Sequence, residues 1–345
     1  MSFVLDRRTL CAGLAGAALL PALTSAWADV PQPSADLLAA ARKEGSVVLY
    51  TATLGEPYHK AITGAFRKRY GIRVDILEAR ASEVRERIRV EQVAGRSSAD
   101  LSFNGSTTTK LQLDAGTFQP FGQLPNTSLL KSDFPTDGTR LPIRMMLSAL
   151  LVNDRLVPPG EQPKSWRDLL DPKWKGKIVS DDMRALGNGA VLYYATREAF
   201  GRGFHEALAK QNLVFSRDFP NDQRRVARGE YAIYMPMVLA QMSLLKGLPV
   251  RLDIPVEGCP YVRFDLAMVQ GAPHPNAARL LMNFFLDPAA QLIYANAGYG
   301  ITTTGLSARV SADVRPLVDA KRLGTTDAAH QNAMLAEAKQ IYGNQ

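Results

Sequence analysis

The chain has 345 residues, of which 46% are hydrophobic and 21% charged, and its formal net charge is +8. This length allows two lobes with separate cores, because single cores stop growing at about 250–300 residues. Basic residues are scattered rather than clustered, which gives no support for nucleic-acid binding. Beyond the first thirty residues, no apolar run approaches the ~20 residues needed to cross a bilayer.

The N-terminus predicts an export signal. Arg7 and Arg8 precede an apolar stretch from Leu10 to Leu23, and Ala26-Trp27-Ala28 has the small-x-small pattern of a cleavage site. We therefore expect cleavage after Ala28 and a periplasmic mature protein. The paired arginines fit a twin-arginine signal, and the general secretory route fits the same residues as well.

A strand–helix–strand unit is predicted between Gly45 and Ala79. Val47 to Tyr50 is a continuous apolar run, typical of a buried parallel strand. Apolar residues recur every four positions from Tyr58 to Tyr70, which predicts a helix, and Gly71 is expected to end it. From Ile72 to Ile76 apolar and charged residues alternate, as in a second strand. A shorter helix is expected before this unit.

Polar loops follow three of the predicted strands. The first loop, Thr51 to Gly55, follows Tyr50; the second, Asn104 to Thr108, follows the strand Ala99 to Phe103; the third begins at Asp181, after Ile178 to Ser180. Ligands bind beyond the carboxyl ends of strands in open parallel sheets. The candidate ligand contacts are Thr51, Thr53, Asn104, Ser106, Thr107, Asp181, Arg184 and Asn188, with Tyr234 from the predicted strand Ala232 to Met235. For the loop Asn104 to Thr108, helix capping explains any one residue equally well, but its position at the carboxyl end of a strand favours ligand contact for the group.

Two segments are expected to connect the lobes, near Ser148 to Asn153 and near Phe264 to Val269. The resulting division has three parts: a signal peptide over 1–28, a first lobe over 29–150 and 268–318, and a second lobe over 151–267 and 319–345. A helix is also predicted after Ser82, which would be its N-cap, and another helix is predicted from Met237 to Leu245.

Several segments resemble the periplasmic substrate-binding proteins of ABC importers, specifically the iron(III)-binding type of extracellular solute-binding protein. The matching segments are Glu44-Gly45 with Val48-Leu49-Tyr50, Phe66 to Ile72, Gly95-Arg96 with Ala99-Asp100, Trp166 to Ile178, and Arg228-Gly229-Glu230. Of these, Trp166 to Ile178 is the most specific. The resemblance covers nearly the whole mature chain. It implies an α/β, two-lobed periplasmic-binding-protein fold (type II) with a ligand cleft between the lobes, an inner-membrane ABC permease as partner, and no catalysis. We expect a monomer without a cofactor.

The resemblance does not extend to iron ligands. The tyrosine pair of iron-binding relatives falls on Met237 and Val238, and the histidine of some relatives falls near Leu54. Fe(III) prefers phenolate and carboxylate oxygens, which these residues lack. Tyr193 and Tyr194 are neighbours on a predicted helix and should diverge, so we interpret them as core residues.

We therefore predict no metal site and a small organic anion as ligand, such as a phosphonate, phosphate ester or carboxylate. Arg184 is expected to bind its anionic group. Asp181 and Asp182 would suit an additional amino group on the ligand. The first alternative is an iron(III)-binding protein of a ferric importer.

The second alternative is a secreted enzyme on the same fold. The four histidines are widely separated in the sequence, and no Gly-x-Ser-x-Gly or phosphate-binding Gly-Lys-Ser motif is present. Cys259 would be the only cysteine after signal cleavage, which excludes an internal disulfide, and we expect it to be buried. The sequence thus favours a binding protein.

Overall fold

The computed structural model describes residues 30–53 and 56–343, in which strands and helices alternate. The strands are β1 (Ser46–Thr51), β2 (Arg73–Glu78), β3 (Leu101–Gly105), β4 (Phe118–Gln119), β5 (Arg140–Asn153), β6 (Ile178–Asp181), β7 (Val214–Ser216), β8 (Ile233–Val238), β9 (Val250–Asp253), β10 (Cys259–Val269), β11 (Gly300–Ile301) and β12 (Arg322–Gly324). The helices are α1 (Ala35–Glu44), α2 (Tyr58–Tyr70), α3 (Ala81–Val93), α4 (Ser106–Asp114), α5 (Asn188–Phe200), α6 (Arg202–Ala209), α7 (Phe219–Arg228), α8 (Pro275–Phe285), α9 (Pro288–Asn296), α10 (Arg315–Val318) and α11 (Gln331–Tyr342). Short 3₁₀ helices span Pro125–Leu129, Trp166–Leu170, Pro172–Trp174, Leu239–Leu245 and Ser307–Arg309. The predicted signal peptide lies outside the described residues.

The main path of the sheet runs in the order β2-β1-β3-β10-β5-β8-β6-β7. At one end β1 is parallel to β2 and β3, and at the other end β6 is parallel to β7 and β8. Between them β10 and β5 run antiparallel to each other and to their outer neighbours. The two parallel parts are therefore connected through β5 and β10.

Strand β5 belongs to both parts of the sheet. Its residues up to Leu147 pair with β10, and those from Ser148 onwards pair with β8 and β9. The sequence predicted only the segment from Ser148, because Pro142 and Arg144 interrupt the apolar run before it. The pairing register shifts between Ala149 and Leu151 where β5 pairs with β8, and at Phe264/Asp265 where β10 pairs with β5. A further shift lies at Cys259/Pro260, where β10 pairs with β12.

The two largest apolar cores lie at opposite ends of this sheet and define two lobes. The core of the first lobe packs α2, α8 and α9 on the sheet around Phe66, Phe103 and Phe284. The core of the second lobe packs α5, α6 and α11 around Tyr193 and other large side chains, including Trp166 and Tyr342. The predicted α/β two-lobed fold is confirmed, whereas the residue numbers at which one lobe passes into the other stay a prediction.

Helix ends follow the sequence signals closely in the first lobe. Ser34 caps α1 by accepting the Leu37 N–H at 3.2 Å, and Gly45 ends it with φ 72°. Gly71 ends α2 in the same left-handed conformation, with φ 78°. The prediction for Ser82 was wrong, because α3 already begins at Ala81 and Glu83 accepts the N–H of Arg80 at 3.0 Å.

The region after Tyr234 also differs from expectation. Met237 and Val238 pair with β5 and complete β8 instead of starting a helix, and only the 3₁₀ helix Leu239–Leu245 follows. Every residue of β8 is buried, so sheet pairing outweighs the helical pattern of this segment. Cys259 is fully buried as expected, and burial raises the pKa of its thiol to about 12. Within residues 30–53 and 56–343, no helix has the length and apolar character needed to cross a membrane.

Candidate ligand cleft

A cleft of about 780 Å³ lies between the ends of helices from both lobes. Its first-lobe side is formed by the starts of α3 and α4, its floor by β5 and β10, and its second-lobe side by the starts of α5 and α7. The lining residues are Ala52, Arg80, Ala81, Ser82, Arg85, Asn104, Gly105, Thr107, Thr108, Leu111, Met146, Leu186, Gly187, Asn188, Ala190, Val191, Phe219, Val262, Phe264, Thr326 and Gln331. The cleft lies beyond the carboxyl ends of β3 and β6, where two of the three predicted loops were expected to bind a ligand.

The junction between β3 and α4 leaves polar groups open to the cleft. Asn104 is 1% exposed; its Oδ1 accepts the Gly105 N–H at 2.9 Å, but its Nδ2 has no hydrogen-bond partner among the described residues. Helix α4 begins after Gly105, and no side chain caps its N-terminus. The N–H groups of a first helical turn have no acceptor within their own helix, and a helix N-terminus favours negative charge. The first-lobe side of the cleft thus presents hydrogen-bond donors that have no acceptor among the described residues.

Two arginines that the sequence analysis missed add positive charge to the same side. Arg80 and Arg85 both line the cleft and are exposed, and neither side chain forms an ion pair within the part of the chain that the structure describes. They lie just beyond the carboxyl end of β2, at the start of α3. The rule that selected the loops after the first and third strands would have selected this junction too, had it been applied to the second strand.

The described lining residues include no acidic side chain and none of the side chains that bind Fe(III) in oxygen-rich sites. Aspartate, glutamate, tyrosine and histidine are all absent from the lining. Among all the described residues, no group of three or more His, Cys, Asp or Glu side chains is placed to hold a metal ion. The cleft therefore suits an anion better than a metal cation.

The second-lobe side is different, because Asp181 already occupies the N-terminus of α5. Its Oδ2 accepts the Gly189 N–H at 2.7 Å, and burial raises the pKa of this carboxyl. Gly189 lies so close that a Cβ atom there would approach the backbone of Asp181 and Asp182 to 2.6 Å. Asn188 lines the cleft, but Asp181 is not among the lining residues. Asp181 acts as a helix cap here.

Arg184 is also absent from the cleft lining. Its Nε donates to Asp182 at 2.9 Å, its Nη1 donates to the carbonyl of Tyr342 at 3.0 Å, and its guanidinium carbon lies 4.6 Å from the centre of the Phe215 ring. The guanidinium thus connects the loop after β6 to the end of α11. The structure thus places Arg184 outside the cleft lining, and its contact with an anion stays a prediction.

The other predicted residues divide between the cleft and its surroundings. Thr107 lines the cleft, and its hydroxyl lies 3.1 Å from that of Thr326. Ser106 lines a neighbouring cavity of about 280 Å³ instead. Thr51 and Thr53 are buried, with their hydroxyl oxygens 2.6 Å apart, and neither lines the cleft.

Three further predictions concern tyrosines and the first loop. Tyr234 is 1% exposed in an apolar cluster of the second lobe, where burial raises its pKa, and it does not line the cleft. Tyr193 is buried in the second-lobe core, as expected. Leu54 and Gly55, which end the predicted first loop, lie outside the described residues.

A fully buried arginine supports the floor of the cleft. Arg144 is 0% exposed and donates to Glu56 at 2.7 Å, and its guanidinium carbon lies 4.5 Å from the ring centre of Phe264 and 3.9 Å from that of Tyr299. Cation–π contacts of this kind are stronger away from water. They fix the ring of Phe264, which is itself part of the floor.

A two-lobed α/β fold, with hydrogen-bond donors lining a cleft between the lobes, is typical of proteins that bind a small solute between two lobes. Residues 99–327 match the family described as bacterial extracellular solute-binding protein, and the chain belongs to this family. The assignment made from the sequence is confirmed: the protein is a solute-binding component of an ABC transporter.

Two relatives are about one quarter identical to this chain over the aligned residues. A putative 2-aminoethylphosphonate-binding periplasmic protein of Salmonella typhimurium is 26% identical over 276 residues, which cover 73% of this chain and 74% of that protein. An uncharacterized protein of Haemophilus influenzae is 24% identical over 267 residues, covering 73% of this chain and 75% of that protein.

Solved structures show the same fold at lower identity. The ferric binding protein from Campylobacter jejuni has a TM-score of 0.69 at 19% identity, covering 86% of this chain and 98% of that chain. Iron-bound HitA from Pseudomonas aeruginosa has a TM-score of 0.68 at 18% identity, covering 86% and 99%. At such identities the likeness concerns the fold.

Proposed function

We propose that the cleft captures a small organic anion, of the phosphonate, phosphate-ester or carboxylate class, and delivers it to a membrane permease. The observation that carries this proposal is the charge of the lining: Arg80 and Arg85 face the cleft, while no described lining residue is acidic. The unpartnered Nδ2 of Asn104 and the uncapped start of α4 add donors for the oxygens of such an anion. The name of the Salmonella relative, a putative phosphonate-binding protein, supports the same class.

An iron(III) ligand has the support of the structural neighbours' names only. Fe(III) would need phenolate or carboxylate oxygens, and Met237 and Val238, at the positions of the expected tyrosine pair, are buried in the strand β8. We therefore prefer the anion.

Calorimetry with methylphosphonate, 2-aminoethylphosphonate, acetate and Fe(III) citrate tests the choice. We expect binding of at least one phosphonate, weakened at least about tenfold in the double variant Arg80→Gln/Arg85→Gln, because a hydrogen bond to a charged group contributes ~1.5 kcal/mol or more. Arg96→Gln is the matched control, since Arg96 is exposed and outside the cleft lining. Tight binding of iron with no response to any of the anions would refute the proposal.

We also propose that the ligand draws the two lobes together, with the lobe boundaries predicted above. The register shifts in β5 and β10 support this, because an irregular ladder can bend where regular pairing resists bending. X-ray scattering should show a smaller radius of gyration with saturating ligand, and an unchanged radius would count against closure.

The remaining proposals concern the state of the protein in the cell. We propose a monomer that is exported, cleaved after Ala28, and neither binds nucleic acid nor turns over its ligand. Light scattering checks the monomeric state, and intact-mass analysis of the exported protein checks the cleavage. An assay with phosphate and carboxylate esters checks for turnover.

A further inference from the structure

The cleft has an apolar surface that the charge argument does not use. Large apolar side chains cover its floor and both sides, and they include three that are substantially exposed to solvent. Leu111 of the first lobe is 44% exposed, and Leu186 and Phe219 of the second lobe are 59% and 42% exposed. An exposed apolar patch with a polar rim marks a binding surface, because apolar area in contact with water has a free-energy cost.

The floor continues this surface. Met146 of β5 and Val262 of β10 are directly paired across the two strands, and Phe264 lies on the same face of β10 as Val262. All three line the cleft. The apolar floor and sides therefore enclose the space next to the anion-binding groups.

The described lining offers no carboxylate to an ammonium group. The carboxylates expected to serve it are engaged elsewhere, Asp181 with the Gly189 N–H and Asp182 with Arg184. The acidic residues that adjoin the lining in sequence also have hydrogen-bond partners; they are Glu83, Glu86, Asp218, Asp265 and Asp327. Arg80 and Arg85 would moreover repel a second positive charge.

We infer that the preferred ligand is an anion that carries an apolar body, aryl or alkyl, and not an amino group. This inference rests on the proposed function and narrows it. The anionic group meets the arginines and Asn104, and the apolar body lies against Met146, Val262 and Phe264 and is covered by the exposed apolar side chains. A volume of about 780 Å³ is within the range of pockets that enclose larger organic ligands, roughly 300–1,000 Å³.

Two phosphonates with the same spacer and anionic group provide the test. 2-Phenylethylphosphonate should bind at least about tenfold more tightly than 2-aminoethylphosphonate in calorimetry, because burying a phenyl ring adds favourable apolar area that an ammonium group lacks. Methylphosphonate serves as the reference for the anionic group alone.

A matched pair of leucine variants locates the effect. Leu186→Ser, in the cleft, should weaken 2-phenylethylphosphonate about fivefold and methylphosphonate by a smaller factor. Leu244→Ser replaces a leucine that is 77% exposed outside the cleft, and it should change neither affinity. Both side chains are exposed, so folding is not expected to depend on them.

The outcomes distinguish the apolar-body inference from the anion proposal on which it rests. Tighter binding of 2-aminoethylphosphonate than of 2-phenylethylphosphonate, or equal effects of the two leucine variants, overturns the apolar-body inference while the anion proposal stands. Failure of all three phosphonates to bind, with acetate also inactive, removes the anion proposal as well.

Discussion

The loop after β3 leaves its polar groups open to the cleft, whereas the loop after β6 satisfies its own. In the loop after β3, the Nδ2 of Asn104 has no hydrogen-bond partner among the described residues, and α4 starts without a side-chain cap. In the loop after β6, Asp181 caps α5, and Asp182 accepts a hydrogen bond from Arg184 at 2.9 Å. Amides and hydroxyls near a helix start leave donors for a ligand, but a loop with charges of both signs can neutralise itself. In this molecule, a strand-end loop that carries charges of both signs is thus poorer evidence of a binding site than one with uncharged polar groups.

The largest effect should come from adding one methyl group at the start of α5, at Gly189. In Gly189→Ala the new Cβ would approach backbone atoms of Asp181 and Asp182 to 2.6 Å, which should lower the free energy of unfolding by about 3 kcal/mol. Gly105→Ala is the control, because Gly105 has φ −59° and its Cβ would come no closer than 3.5 Å to Val262. Urea unfolding compares the two variants, and equal losses of stability would break the contrast between the loops.

Acid should lower the free energy of unfolding through the packing of α5, the helix that follows β6. Helix α5 contacts His205, whose Nε2 lies 3.0 Å from the Thr196 hydroxyl, and burial lowers the pKa of His205 to about 3. The unfolded chain takes up a proton below pH 6.5 that the folded protein excludes, so stability falls as the pH falls from about 6.5 towards 3. At pH 5 the loss is ~2 kcal/mol for this histidine.

Unfolding of the parent and of His205→Gln at pH 7.5 and pH 5 isolates this contribution. The variant should lose ~2 kcal/mol less than the parent between the two pH values. His59 in the first lobe also has a pKa lowered by burial to about 3, so both proteins retain its share of the effect. An equal pH dependence in parent and variant would contradict the assignment to His205.

The affinity for methylphosphonate distinguishes the loop after β3 from the loop after β6. Asn104→Ala removes a buried donor in the cleft and should weaken methylphosphonate binding about tenfold. Asp181→Asn keeps an oxygen that can accept the Gly189 N–H and should leave affinity unchanged. The distinction fails if the change at Asp181 has the larger effect on calorimetric affinity.

Arg184 should show the smallest effect, and on stability only. Arg184→Ala loses the bonds to Asp182 and to the Tyr342 carbonyl, which should cost about 1 kcal/mol of unfolding free energy. Phosphonate affinity measured beside it should not change. Weaker binding at full stability would restore Arg184 as a ligand contact.

Much of the fold was predictable because local signals agreed with tertiary packing. Gly45 and Gly71 end helices where the sequence predicted, and Asn104, Thr107 and Asn188 lie at the cleft as the strand-end rule required. Their role as ligand contacts stays a prediction.

The errors have a common physical origin in contacts distant along the chain or dependent on turn geometry. The pairing of Arg184 with the carbonyl of Tyr342 joins residues 158 positions apart, which no local pattern reveals. Met237 was assigned to a helix because pairing with β5 is invisible in its own segment. Arg80 and Arg85 resemble ordinary charges on an exposed helix until the fold brings the start of α3 to the cleft.

The length of β5 has a consequence for how the protein comes apart. Because this strand pairs with β10 in one half and with β8 and β9 in the other, the two hydrophobic cores share one strand. We expect two cores joined in this way to unfold as one cooperative unit, even though their helices belong to different lobes. The continuous backbone at which we propose that the lobes move should thus also prevent them from melting separately.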